Sequence, residues 1–323
     1  MTRVAITGAT GFIGREVCLG LLAKGYKVRA ICRTVDSILL TENLEVVSVG
    51  EFGPQTDWSK ALAGVDRIIH CAGRVHVMRE PASDALAAYR AVNVLGTLNM
   101  AEYAAALGVD RLVFLSSIKV NAEQTPLDVP LLFSDVPAPK DYYGVSKWEA
   151  EQALWEVSER TGLATVVVRP PLVYGPGVKG NLLHLLSWVA RGFCLPLGSV
   201  RNKRSLMGLA NLVDLLLRCL EHPAAAGQTF LASDDHDIST SHLIRLMGEG
   251  MSLPVRLLPV PVALLQAGGS LVGRRSRIDR LISSLQVDSR HTQNQLAWRP
   301  PVSVEDGVME MARWYANLQV ARP

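Results

Sequence analysis

The stretch Val4-Ala5-Ile6-Thr7-Gly8-Ala9-Thr10-Gly11-Phe12-Ile13-Gly14 decides the fold. A short apolar run ends in glycines spaced G-x-x-G-x-x-G, and an amphipathic stretch from Gly14 to Ala23 follows. Glycines at a strand-to-helix junction let the backbone turn tightly and approach a pyrophosphate, which sits on the positive end of the helix. Read alone, the triplet is a structural turn; between a strand and a helix it reads as a dinucleotide seat. Further β-branched runs lie at Val28–Cys32, Glu45–Val49, Arg67–Cys71, Arg111–Leu115 and Thr165–Val168. Helix-length segments separate several of them, notably Asp84–Leu107 and Tyr142–Thr161. This alternation predicts βαβ units, hence an α/β fold with a doubly wound parallel sheet and helices on both faces.

After Arg169 the texture changes. Pro170-Pro171, Gly175-Pro176-Gly177 and Gly180 mark where the chain leaves the regular sheet. Beyond them, helical patterns (Leu182–Arg191, Asn211–Glu221, Ser241–Met247) mix with short strands such as Gln228–Ala232. The expected division is a dinucleotide-binding domain over residues 1–174 and a smaller C-terminal substrate-binding subdomain over 175–323, some of whose segments return to the first sheet. Pro254–Val272 is the most lipophilic stretch, but Arg256, three prolines and Gly268-Gly269 interrupt it. A spanning helix needs roughly 20 predominantly apolar residues. The segment is therefore read as a buried helix with its lead-in, a peripheral membrane contact being the alternative.

Lys and Arg total 33 against 30 Asp and Glu, and the net charge of +3 is too small for a nucleic-acid or polybasic membrane surface. Five scattered cysteines without a C-x-x-C pair argue against a disulfide framework or a cysteine zinc site, and no metal is expected. The apolar run at the N-terminus ends in glycines before an export signal could form. A cytoplasmic protein with no integral membrane segment and no nucleic-acid partner is the expectation.

Two further patterns carry chemistry. Tyr143 and Lys147 are four apart within Tyr143-Gly144-Val145-Ser146-Lys147 and share one helix face. A nearby ammonium favours the phenolate and lowers a tyrosine pKa from its reference near 10, so the pair suits acid–base work. Ser116-Ser117 closes a strand 26 residues upstream of Tyr143. A hydroxyl there lies in the ligand crevice of an open α/β sheet. Taken singly, the pair is a solvated helix face and the serine a turn cap; together, after the glycine turn, they form a catalytic constellation.

With these motifs the chain resembles the extended short-chain dehydrogenase/reductases of the nucleotide-sugar epimerase/dehydratase family, whose sheet is Rossmann-type. The resemblance gives Ser117, Tyr143 and Lys147 the catalytic roles, with Lys147 also holding cofactor. It sets Gly8, Thr10, Gly11, Phe12, Ile13 and Gly14 around the dinucleotide, with Arg33, Glu51, Phe52, Ala72, Gly73, Arg74, Asn93, Pro170 and Val173 completing that side. Arg169-Pro-Pro-Leu-Val-Tyr-Gly-Pro176 is similar to the segment leading into a sugar-nucleotide site. Asn181 then matches a diphosphate contact and Arg204 a phosphate-binding arginine, with Arg280 as a second. The resemblance also sets His76 and Lys119 by the sugar, and implies a UDP-sugar substrate. Read as residues alone, a surface charge is the lesser reading of Arg204, while His76 is equally a structural histidine and Asn93 a helix-interior hydrogen-bonder.

Three reactions compete on such a scaffold. A 4,6-dehydratase carries an Asp-Glu pair directly after the catalytic hydroxyl, and here those positions are Ile118 and Lys119, so dehydration is set aside. A UDP-sugar 4-epimerase on UDP-glucose or UDP-N-acetylglucosamine keeps NAD tightly bound, and an acidic residue ending the second strand would hold its ribose. This chain reads Cys32-Arg33-Thr34 there, with Asp36 in the loop beyond. Arg33 suits a 2′-phosphate and favours NADP(H), while an arginine stacked on adenine leaves NAD(H) open. The local wording is similar to 4-keto reductases of bacterial O-antigen and other surface-polysaccharide synthesis, which reduce a UDP-4-keto-6-deoxy-N-acetylhexosamine (the UDP-N-acetylquinovosamine formers). A non-catalytic dinucleotide-binding protein is a third reading, weakened by the intact Tyr143 and Lys147. Asp84–Leu107 and Tyr142–Thr161 carry apolar residues in excess of one sheet face; the resemblance implies that they pair with their copies in a homodimer, cover by the C-terminal segments of the same chain being the alternative.

Overall fold

The computed structural model describes residues 2–34, 43–75, 85–271 and 275–320. Its strands are β1 (Arg3–Thr7), β2 (Lys27–Cys32), β3 (Leu44–Ser48), β4 (Arg67–His70), β5 (Arg111–Leu115), β6 (Ala164–Arg169), β7 (Leu172–Tyr174), β8 (Leu206–Gly208) and β9 (Gln228–Leu231). Seven of them form one parallel sheet in the order β3-β2-β1-β4-β5-β6-β9, and β7 and β8 pair separately. In register, Ile6 lies beside Ala30 and Ile69, and Val113 beside Ile69 and Val166. The order reverses between β1 and β4, which opens the crevice at their C-terminal ends.

Period-2 alternation sorts the strand side chains between two cores. Helices α1 (Phe12–Ala23), α2 (Ser59–Leu62), α3 (Ala85–Arg90), α4 (Thr97–Ala106), α5 (Tyr142–Thr161), α6 (Gly180–Ala190) and α7 (Leu209–Glu221) supply most of the cover. On one face Val4, Ile6, Ile69, Val113 and Val166 meet Val17 and Leu21 of α1 and Leu212, Leu215 and Leu216 of α7. On the other, Ala5, Ile68, Phe114 and Val167 meet Met100 and Ala104 of α4 and Ala150 and Leu154 of α5. Both faces are dry, which is why the strands read as unbroken apolar runs.

A third core is built by α6, α8 (Thr240–Gly250), α9 (Val262–Leu271), α10 (Arg275–Ile282) and, after α11 (Arg290–Leu296), α12 (Val304–Val320). Its centre holds Leu186, Ile244, Met247, Val308 and Met311. The chain returns from this lobe to the sheet through α7 and β9, which pairs with β6.

Two segments differ from the sequence reading. The helix expected over Asp84–Leu107, described from residue 85 on, is α3 and α4 joined by a π-helix at Ala91–Gly96. The Pro254–Val272 segment does contain a helix, α9, but it is not buried as expected. Leu265 is its one buried side chain among those described, while Leu264 is 64% and Leu271 89% exposed. Apolar composition cannot by itself tell a buried helix from one with an apolar outer face.

Candidate active site

The glycine turn is shaped by close backbone approach. Gly8 has φ +69°, and a Cβ on it would meet the backbone of Cys71 and Ala72 at 2.8–3.0 Å. A Cβ on Gly14 would stand 2.2 Å from the Gly8 carbonyl oxygen, so only glycine lets α1 start this near β1. Gly11 is the N-cap and supplies no side-chain cap, and the first turn holds no acidic residue. The early amides of α1 thus keep the polarity an anion needs. Thr10 lies exposed at this turn, while Phe12 and Ile13 are half-buried at the helix start. These residues fit the pyrophosphate of a dinucleotide.

Ser117, Tyr143 and Lys147 converge from separate elements. Ser117 follows β5 and opens a short 3-10 turn, its Oγ accepting from the Lys119 amide at 3.3 Å. Tyr143 stands in the first turn of α5, close to the Ser117 side chain. Asp141 caps that helix, its Oδ1 accepting from Gly144 N at 2.7 Å. A Cβ on Gly144 would come within 2.7 Å of the Lys119 carbonyl oxygen, so the glycine lets the Tyr143 turn dock on the Ser117 turn. One helical turn further, Lys147 is buried, donates to Leu115 O at 2.8 Å and lies 4.2 Å from the centre of the Phe114 ring.

The charge states differ from the sequence reading. Burial, reinforced by the Asp141 carboxylate, raises Tyr143 above the ordinary tyrosine range instead of lowering it. Burial also pushes Lys147 down to about 8, with the Glu151 carboxylate opposing. For Tyr143, desolvation and the Asp141 carboxylate act in the same direction, and for Lys147 desolvation outweighs the carboxylate. Tyr143 at neutral pH therefore holds its proton.

Around the triad, Asn93 ties three segments together. Its Oδ1 accepts from Arg74 N at 2.7 Å, and its Nδ2 donates to Arg74 O at 3.1 Å and to Ser146 Oγ at 2.9 Å. The wider π turn that carries Asn93 is a common device at functional sites. Gly73 lies beneath it: a Cβ there would be 3.2 Å from Asn93 Oδ1 and 3.6 Å from Lys147 Nζ. Ala72 N donates to Thr7 Oγ1, and the Arg74 guanidinium lies over the Tyr89 ring at 5.9 Å. Pro170 O accepts from Ile118 N, joining the Ser117 turn to the end of β6, and Val173 packs against the sheet core. Phe52 stacks on His70 and abuts Gly96, while Glu51 is exposed beside it. Arg33 is exposed at the end of β2, its carbonyl accepting from Ser48 Oγ.

The residues expected at the substrate are more scattered. His76, like Asp36, lies outside the described residues. Lys119 is ion-paired with Asp141 and lies 3.6 Å from Glu123. Asn181 is exposed in the first turn of α6. Arg204 donates to Arg280 O at 2.9 Å and Ser283 O at 3.2 Å, so it caps the C-terminal end of α10 and brings the two arginines together.

Residues 4–232 match the NAD dependent epimerase/dehydratase family. The chain is 41% identical over 315 residues to a UDP-glucose 4-epimerase of Vibrio cholerae, covering 96% of this chain and 94% of that protein. The chain belongs to this family. It is therefore an enzyme of the NAD-dependent oxidoreductase or epimerase kind. It is also 26% identical to an Escherichia coli O157:H7 N-acetyl-α-D-glucosaminyl-diphospho-ditrans,octacis-undecaprenol 4-epimerase, over 81% of this chain and 77% of that one. The fold matches a UDP-glucuronic acid 4-epimerase of Bacillus cereus solved with NAD (TM-score 0.78, 18% identity, 98% and 99% of the two chains). It also matches a UDP-glucose 4-epimerase of Thermotoga maritima solved with UDP-glucose (TM-score 0.77, 19% identity, 98% and 100%).

Within this family fold, a buried ionic cluster escaped the sequence reading. Arg169 at the end of β6 meets Glu151 of α5 at 2.5 Å, and both side chains are almost fully buried. Ser116 Oγ donates to the same carboxylate, and Arg169 reaches Asn121 Oδ1 at 3.0 Å. The cluster pins the strand end beside Ser117 to the helix that carries Tyr143 and Lys147. Glu151 follows Lys147 by one turn, a spacing the sequence did display. Among the described residues, no cluster of His, Cys, Asp and Glu could hold a metal, and no helix is long and apolar enough to cross a membrane.

Proposed function

We propose that the protein reduces the C4 ketone of a UDP-4-keto-6-deoxy-N-acetylhexosamine, drawing on NADPH, in the cytoplasmic synthesis of a surface-polysaccharide precursor. The observation that carries the reading is Tyr143, half-buried and protonated beside Ser117: a proton donor next to a second hydroxyl for the same oxygen. A dinucleotide whose pyrophosphate rested on the Gly8–Gly14 turn would supply the hydride from its nicotinamide. Tyr143 gives its proton to the C4 oxygen as that oxygen gains charge, and Ser117 hydrogen-bonds the same oxygen. Lys147, protonated below about pH 8, reaches the nicotinamide ribose and steadies the charge left on Tyr143. Asn181, Arg204 and Arg280 hold the UDP diphosphate, to which a guanidinium offers bidentate bonds.

Arg33 supports NADPH over NADH, since no carboxylate ends β2. Arg33→Ala should weaken NADPH more than NADH, because only NADPH carries a 2′-phosphate. Equal weakening of both would remove the cofactor assignment and leave the reduction standing. A second reading, 4-epimerisation of a UDP-sugar with retained NAD, has the 41% relative in its favour. NADPH consumed one for one with the 4-keto substrate supports the reductase. Interconversion of UDP-glucose and UDP-galactose without added cofactor would replace it with the epimerase.

A further inference from the structure

The outer face of α9 has the wrong chemistry for water. Ala263, Leu264, Ala267, Gly268 and Leu271 recur at helical spacing, and all five are exposed. Position by position, this is where a surface helix normally carries charge, yet Val262–Leu271 has none. Its exposed hydroxyl, on Ser270, is turned back to Gln266 O at 2.9 Å. The lead-in continues the surface: Leu258 is 50% exposed, and Pro259 and Pro261 are exposed with it.

In sequence, the charge that flanks this helix is mainly positive. Between Glu249 and Asp279 the chain has no acidic residue but four arginines, Arg256, Arg274, Arg275 and Arg277. Arg256 and Arg275 are exposed on the two sides of α9 in sequence, Arg275 lying 3.7 Å from Asp279 on the exposed surface of α10, which packs against α9. The whole chain carries a net charge of only +3, so this stretch concentrates positive charge. An apolar helix face flanked by arginines is the pattern of a helix lying in a membrane interface. Ten residues cannot span a bilayer, which takes roughly 20.

We infer that the Leu258–Leu271 face docks the enzyme on an anionic lipid surface, with Leu264 and Leu271 entering the acyl boundary and Arg256 and Arg275 meeting headgroup phosphates. The contact is independent of the proposed reaction, because no residue of the Ser117-Tyr143-Lys147 site takes part.

Co-sedimentation of the full-length protein with vesicles tests it. The protein should pellet with phosphatidylglycerol–phosphatidylcholine vesicles at low salt, and much less with phosphatidylcholine alone or in high salt. Leu264→Asp with Leu271→Asp should lower partitioning at least about tenfold, and Arg256→Gln should lower it only on anionic vesicles. These sites are exposed, so circular dichroism and turnover of a soluble sugar nucleotide should not change. Equal binding to neutral vesicles, binding that the double variant retains, or no binding would each overturn the inference. So would a double variant that only converts a dimer to monomers, since the face would then belong to a second copy of the chain.

Discussion

Lys147 is held in a state that favours function over stability. Its folded pKa of about 8 lies below the ordinary 10.5, so between those values the unfolded chain binds more protons and stability rises with pH. Below about pH 8 the full cost applies, on the order of 3 kcal/mol from the size of the shift. Lys147→Met should therefore abolish turnover while leaving thermal stability equal or a few degrees higher; a large drop in Tm would show that the Leu115 hydrogen bond dominates. The same titration fixes the pH profile of the proposed reduction. Lys147 loses its proton as pH rises through about 8 while Tyr143 keeps its own, so kcat/KM should fall on that limb. A rate that climbs instead would mean that a phenolate base is needed. Tyr143→Phe removes the proton donor and should lower kcat by about 10²–10⁴-fold with the fold intact.

At the scale of elements, two contacts keep the Ser117 turn against α5. One is the close approach at Gly144. A methyl there must displace the Lys119 carbonyl, so Gly144→Ala should reduce kcat by about 10–100-fold, since displacements near 1 Å cost that much. Cofactor affinity should hardly change, and a selective loss of that affinity would contradict the placement. The other contact is the Glu151–Arg169 pair. Glu151→Ala leaves a buried guanidinium without its anion and should cost about 3–5 kcal/mol in urea denaturation. A cost under about 1 kcal/mol would mean that solvent or Asn121 replaces the carboxylate.

These elements also show what the sequence could reveal. The runs beginning at Val4, Val28, Arg67 and Arg111 were legible as strands because both faces of the sheet are dry, which leaves no polar alternation to misread. The glycine turn was legible because its spacing is dictated by backbone contact. Helix α9 was misread as buried because composition shows that a helix is apolar but not which side faces out. The π turn left no pattern of its own, and the raised Tyr143 pKa could not be foreseen because desolvation depends on packing that the Tyr-Lys spacing does not contain. Glu151 was overlooked because its partner Arg169 lies on a different element. Strands β7 and β8, three residues each, are too short for periodicity to register.

Across the whole molecule, the glycine turn after β1 and the Ser117 turn after β5 lie at the C-terminal ends of the parallel strands, where the strand order reverses between β1 and β4. The outward surfaces of the π-helix, α4 and α5 still carry apolar residues, with Leu95 45% and Leu107 43% exposed and Tyr103 and Trp155 half-buried. Two-fold pairing of these helices with their copies would cover them. Light scattering at micromolar concentration should then give twice the 35.1 kDa chain mass; a monomer would exclude the pairing.

The chemistry assigned to the crevice is most directly tested by isotope transfer. NADPH deuterated at the transferable C4 position of its nicotinamide is mixed with a UDP-4-keto-6-deoxy-N-acetylhexosamine, and the product is analysed by mass spectrometry and NMR. One deuterium at sugar C4 for each cofactor oxidised is the predicted result, and it should disappear with Tyr143→Phe. Unlabelled product with no cofactor oxidised, alongside interconversion of UDP-glucose and UDP-galactose, would contradict it.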